Sequence, residues 1–217
     1  MAAALIPVPE ISTRPELADW RYVLGAIATT ARCGSFTAAA DLALQVAAEA
    51  DRVDHHPDLD LRYPDLLQIT LSSHDAGGVT ERDARLAVLV SELIARTGAR
   101  VEPLRRQAVE FAIDTINADR IRPFWAAVLG YDEYGGALVD PLRIGPPMWF
   151  QQMDEPRTER SRFHIDVSVA HDLADDRVAA AVAAGGRLVT DAFARAWWVL
   201  ADADGNEACV CTWQDRD

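Results

Sequence analysis

The chain contains no lysine: all 21 basic residues are arginine, set against 34 Asp and Glu, and the formal net charge is -13 over 217 residues. Such a deficit of positive charge repels phosphate backbones and anionic lipid, which argues against nucleic acid and membrane surfaces as partners. The all-arginine bias by itself carries no functional conclusion. Cysteine is scarce. Cys33, Cys209 and Cys211 are odd in number and lack the repeated spacing of a disulfide framework or a zinc knuckle, so a reducing, cytoplasmic setting is the simplest expectation. No apolar run reaches the ~20 residues of a membrane span. The opening MAAALIPVPEISTRPE has no basic n-region and breaks its apolar run at Pro7 and Pro9, unlike a signal peptide.

What is present has the balance of an ordinary globular protein, 50% hydrophobic and 25% charged. The length accommodates one large domain or two of about 100 residues. Ser35 reads as an N-cap, with Phe36, Ala40, Leu44 and Ala47 at near-helical spacing in a helix running to about Arg52. Thr80 and Asp83 form a capping-box-like pair opening a second helix, whose apolar face is Leu86, Leu89, Val90, Leu93 and Ile94. Between them, Leu59 to Arg62 and Leu66 to Leu71 read as strands, and Trp20 to Ala28 as a further strand or a hairpin around Gly25. Residues 1–98 are thus expected to form an α+β unit with helices on one face of an antiparallel sheet.

The polar stretch TGARVEPLRRQ, with Gly98 and Pro103, places a linker at 99–107 and a second domain at 108–217. There the expected order is a strand (Val109 to Ile116), a helix (Ala118 to Leu129), strands around Gly136 to Val139 and Met148 to Met153, a strand (Phe163 to Val169), a helix (Leu173 to Ala184), and strands near Trp197 to Ala201 and Ala208 to Thr212. Two βαββ copies make a weak repeat of about 50 residues, a pattern that builds one curved sheet with a concave site between the copies.

Three of the five histidines lie in VDHHPDLDLRYPDLLQITLSSHD. As ordinary histidines they would be surface or capping residues. Pro57 disfavours helix at His56, so His55 and His56 sit at a helix-to-strand junction, and His74 and Asp75 stand just past an alternating strand, followed by a turn at Gly77 and Gly78. A sheet can bring those two points together. Adjacent histidines do not readily point at one ion, and neither His-x-His nor an i,i+4 pair occurs, so acid/base chemistry ranks above metal binding. Imidazoles beside a carboxylate suit addition or elimination of water.

DHHPDLDLRYPDLLQITLSSHDAGGVTERDARLA, with the preceding SFTAAADLALQVAAEADRV, resembles the signature of the pterin-4a-carbinolamine dehydratases over roughly residues 10–98. The resemblance implies dehydration of a 4a-hydroxytetrahydropterin to the quinonoid dihydropterin, without metal or organic cofactor, by a homo-oligomer (dimer or tetramer). It assigns His55, His56 and His74 as the acid/base set, with Asp75 setting their charge or orienting one ring. Asp54, Trp20, Tyr63, Arg82 and Asp83 fall around the substrate, Trp20 and Tyr63 as wall or core rather than chemistry. Arg82 and Asp83 suit a helix-start ion pair equally well. The stretch RYVLGAIATTARCGS departs from the family in being more apolar than the basic, aromatic segment expected there.

In the second half, NADRIRPFWAAVLGY, RFHIDVSVAH and ADADGNEACVC resemble the glyoxalase and bleomycin-resistance superfamily. That likeness implies paired repeats in a curved sheet and, in its metal enzymes, one ligand on each of four strands. At those positions stand Glu110, Gln151 or Gln152, His164 and Cys209, of which only Glu110 and His164 are suitable ligand types, so no catalytic metal is expected. His164 serves equally as a partly buried strand-end histidine. Five of the six tryptophans (Trp125, Trp149, Trp197, Trp198 and Trp213) lie here, as core or as the lining of a pocket for a flat ligand. The leading expectation is a dehydratase fused to a small-molecule-binding domain. Its rivals are a non-catalytic pterin-binding or dimerisation module, and a metal-dependent isomerase or dioxygenase in the second half.

Overall fold

The computed structural model describes residues 3–102, 107–119, 122, 131–155, 163–183, 186–201 and 207–216. The chain divides into two compact units, Met1–Arg106 and Gln107–Asp217. Among the described residues no helix is long and apolar enough to cross a membrane.

The first unit opens with helix α1 (Val8–Thr13) and a short 3-10 turn, Pro15–Leu17. Strands β1 (Arg21–Val23) and β2 (Ala26–Arg32) form the hairpin, turning at Leu24 and Gly25 with φ of 47° and 78°. Both are positive, as the favoured two-residue hairpin turns require, and glycine takes the second without strain. Helix α2 (Phe36–Val53) leads to β3 (Asp58–Arg62) and β4 (Leu66–Leu71), then α3 (Glu81–Thr97) and β5 (Arg100–Val101). The sheet order is β1-β2-β4-β3, with β5 also on β2, and every pairing is antiparallel. Arg100 and Val101, expected in the linker, are therefore part of this sheet.

The alternation of β4 puts Leu67, Ile69 and Leu71 wholly inside, against Leu86, Val90 and Ile94 of α3. Helix α2 corrects the sequence reading. Its buried stripe is Ala39, Leu42, Val46 and Ala50, whereas Phe36 is half exposed and Leu44 is 72% exposed. The body of this helix is so rich in alanine that an apolar arc can be drawn on either side. Leu42→Ala is expected to cost about 2–5 kcal/mol by denaturant unfolding, and Leu44→Ala no more than about 0.5 kcal/mol. Equal losses would contradict this packing.

The second unit is one eight-stranded sheet. It contains β6 (Gln107–Thr115), β7 (Asp132–Tyr134), β8 (Ala137–Val139), β9 (Met148–Gln152), β10 (Phe163–Val169), α4 (Ala174–Ala183), β11 (Arg187–Thr190), β12 (Trp197–Ala201) and β13 (Glu207–Cys211). Its order, β11-β12-β13-β10-β6-β9-β8-β7, makes the repeat explicit. The opening strands of the two copies, β6 and β10, pair antiparallel at the centre, and each pairs in parallel with the last strand of its own copy, β9 or β13. Each copy thus has one strand more than expected. The additions, β7 and β11, are outer strands with nearly every residue exposed, so they lack the apolar alternation that marks a strand in sequence. The expected helix Ala118 to Leu129 lies largely outside the described residues. One face of the sheet buries Val169, Trp198, Leu200 and Val210 with α4, and Ile113, Leu138 and Met148 in a second cluster. Strand pleating turns the alternate residues of β6, β10, β12 and β13 to the other face.

Candidate functional site

In the first unit, α2 ends at Asp54, whose left-handed backbone (φ 52°, ψ 43°) swings the chain off the helix axis. His55 N–H still donates to Ala50 O at 3.1 Å, and Pro57 prevents the helix resuming. This delivers the His55 ring inward. Its Nε2 lies 2.7 Å from Asp83 Oδ1, and Asp83 is wholly buried. Asp83 is the third residue of α3, held there by the capping box: Thr80 N–H donates to Asp83 Oδ2 at 2.7 Å. The Ser73 hydroxyl donates to the same oxygen at 2.7 Å, and Thr80 Oγ1 lies 3.2 Å from it.

One carboxylate therefore joins three segments, the His-His junction, the end of β4 and the start of α3. Because Oδ2 is engaged by these donors and a carboxylate only accepts, His55 donates through Nε2, which leaves Nδ1 of the neutral ring as an acceptor. The arrangement is a buried imidazole oriented by a buried carboxylate. Buried polar groups in such a network are costly to leave half satisfied.

His56 points the other way: its ring is exposed and meets the exposed Asp51 at 3.0 Å. His74 is exposed too, one residue beyond Ser73, which places it beside the Asp83 network. Asp75 pairs with Arg82, whose guanidinium holds the Asp75 carboxyl below the usual range, with His55 adding a smaller lowering. His55, Asp83, Asp75 and Arg82 are thus brought together around the 73–83 turn, with His74 at its edge, while His56 stands on the outer side of the junction. Asp54 and Tyr63 are exposed, Tyr63 at 91%, and Trp20 is 4% exposed with its indole N–H bonded to Ser91 Oγ at 3.0 Å. Trp20 is therefore core rather than part of a substrate wall. Ser73 was missed in the sequence, where nothing distinguishes it from Ser72.

In the second unit, the face opposite α4 carries a row set by register: Glu110 of β6, Asp166 of β10 and Cys209 of β13. His164 lies two residues along β10 from Asp166, and Gln151 of β9 is opposite Asp114. A divalent metal is what the glyoxalase-like pattern implies, and the residues do not fit it. Ligand atoms of His164, Asp166 and Cys209 lie within 4.8 Å of one another, but Glu110 is not in that group and Gln151 brings an amide. Burial, reinforced by Asp166, pushes the Cys209 thiol far up and Cys211 up to about 12.

Burial and the neighbouring Asp166 also raise the Glu110 carboxyl. A raised folded-state value means its stability contribution is complete below the unfolded value and lost as pH rises through the folded one. Glu110→Gln is therefore expected to unfold at higher denaturant than the parent at pH 7 and at the same denaturant at pH 4. No difference at pH 7 would contradict the placement.

A family model described as pterin 4 alpha carbinolamine dehydratase matches residues 6–93, and one described as glyoxalase-like domain matches residues 110–211. A Nocardia farcinica protein named "Putative pterin-4-alpha-carbinolamine dehydratase" is 40% identical over 94 residues, 43% of this chain and 98% of that protein. A Chloroflexus aurantiacus protein of the same name is 38% identical over 85 residues, 39% of this chain and 87% of its own. A crystal structure described as a transcriptional coactivator/pterin dehydratase from Brucella melitensis aligns with 42% of this chain and 99% of its own, at 25% identity and a TM-score of 0.38.

Proposed function

Because the chain belongs to the pterin-4a-carbinolamine dehydratase family through residues 6–93, we propose that it is a hydro-lyase converting 4a-hydroxytetrahydropterin to the quinonoid dihydropterin and water. The observation that carries this reading is the buried His55–Asp83 pair, tied by Ser73 and Thr80 to the segment bearing His74 and Asp75.

The reaction breaks one carbon–oxygen bond and moves two protons. The 4a-hydroxyl leaves as water after taking a proton from a general acid. A base removes the proton from the adjacent ring nitrogen, whose electron pair closes the new carbon–nitrogen double bond. His55 is suited to be the base: Asp83 fixes its tautomer and stabilises the imidazolium that forms, and Nδ1 is left to accept. His74, exposed beside the network, is suited to deliver a proton to the leaving hydroxyl and to recover it from water. His56 serves the same exchange from the outer side of the junction. Asp75 and Arg82 hold each other and shape the charge at the rim, so neither is assigned the proton transfer.

The test is stopped-flow dehydration of 4a-hydroxytetrahydropterin by the purified full chain. Turnover well above the uncatalysed rate is expected. Pterin binding without turnover would overturn the enzyme reading in favour of a pterin-binding module, and absence of both would remove the pterin assignment altogether.

A further inference from the structure

Asp114, Asp166 and Glu207 of the second unit line a cavity of about 490 Å³, within the range of small-molecule sites. Its walls are aromatic. Phe193 and Trp197 stack with centroids 4.7 Å apart, Trp149 meets the edge of His164 at 5.8 Å, and the Arg216 guanidinium lies 5.8 Å above the Trp197 ring.

Its lining includes Asp166, 4% exposed, whose Oδ1 accepts no hydrogen bond among the described residues. His164 lies near it, but its Nε2 is 3.5 Å from Asp166 Oδ1 while its Nδ1 is 3.5 Å from Asp114 Oδ1, too long at both ends for a good bond, and the Cys209 thiol that bonds the Asp166 carboxylate is a weak donor. A buried carboxylate oxygen without a donor is costly and uncommon in a folded protein. A ligand that supplied the donor would remove that cost.

The lining narrows the ligand. Anions are opposed by Asp114, Asp166 and Glu207. A plain hydrocarbon ring would match the walls and leave Asp166 unsatisfied. A bare metal ion would be met by His164, Asp166 and Cys209, whose ligand atoms lie within 4.8 Å of one another, but it would leave the aromatic walls without a partner.

We propose that this cavity binds a flat nitrogen heterocycle with an amidine- or guanidine-type edge, a ring N–H beside an exocyclic amino group. That edge donates to Asp166 while the ring lies against the tryptophan walls. The 2-amino-4-oxopyrimidine edge of a pterin is one member of the class, but the inference rests on the cavity alone and stands or falls separately from the dehydratase reading.

The test is isothermal titration of the full chain with two probes of similar size: 2-aminobenzimidazole, which has the edge, and indole, which lacks it. The first should bind one per chain and about tenfold or more tighter than indole, the scale of one hydrogen bond to a buried charge. Asp166→Asn should reduce 2-aminobenzimidazole to the level of indole, and Trp197→Ala should weaken both probes. Should Asp166→Asn fail to fold, the probe comparison on the parent and the Trp197→Ala variant decide. Equal affinity for the two probes overturns the proposal, as does binding unaltered in either variant, or no binding of 2-aminobenzimidazole. Zinc binding one per chain and expelling the heterocycle would overturn it in favour of a metal site.

Discussion

His55→Ala is expected to lower the dehydration rate by about a hundredfold or more, the scale of losing a positioned general base, with the fold intact by circular dichroism. The reason is geometric. Of the three histidines in this segment, only His55 is buried, and its ring is bonded to the buried Asp83 carboxylate at 2.7 Å. The exposed His56 and His74 can exchange protons with water, so a vacancy at either is open to partial replacement by solvent. Losses for His56→Ala and His74→Ala are therefore expected to be smaller than for His55→Ala. A His55→Ala variant within about threefold of the parent, well short of the general-base scale, would remove His55 from the chemistry.

Asp83→Ala is expected to lose about 3–5 kcal/mol of stability, the range for removing one partner from a buried charged network. Two contributions point the same way. The His55 ring and the Ser73 hydroxyl lose their acceptor, and α3 loses the half of its capping box in which the Thr80 N–H donates to Asp83. Asp83→Asn keeps an acceptor oxygen for the cap, so it should retain most of the stability. Its amide, however, cannot offer the carboxylate charge to the His55 ring. Urea unfolding of both variants separates the two roles, and an Asp83→Ala loss below about 1 kcal/mol, the worth of a single ordinary hydrogen bond, would contradict the network.

Much of this site was legible as parts and not as a whole. The His-His-Pro junction, the terminal His-Asp and the Thr80–Asp83 box are each local patterns, set by proline, by strand alternation and by capping chemistry. What joins them is a carboxylate shared across positions 55, 73, 80 and 83, and no local rule distinguishes that from a helix-start ion pair. Trp20 could be read in sequence as wall or core, and only burial distinguishes them: it lies in the core with its indole N–H on Ser91. In the second unit the periodic strands were readable, whereas β7 and β11 were not, because an exposed outer strand has no buried face to impose alternation. Asp166 escaped notice for a related reason. A lone acidic residue in an apolar strand shows its isolation only when the register sets it between Glu110 and Cys209.

The central claim is that Asp83 works through His55, so that the two form one catalytic device. A double-mutant cycle on kcat/KM for dehydration tests it most directly, with His55→Gln, Asp83→Asn and the pair measured under conditions where all are folded. His55→Gln is expected to remove most of the rate, and the double variant to be no slower than His55→Gln alone. Losses that multiply, with the double variant slower by the product of the two single effects, would mean that the residues act independently and would contradict it.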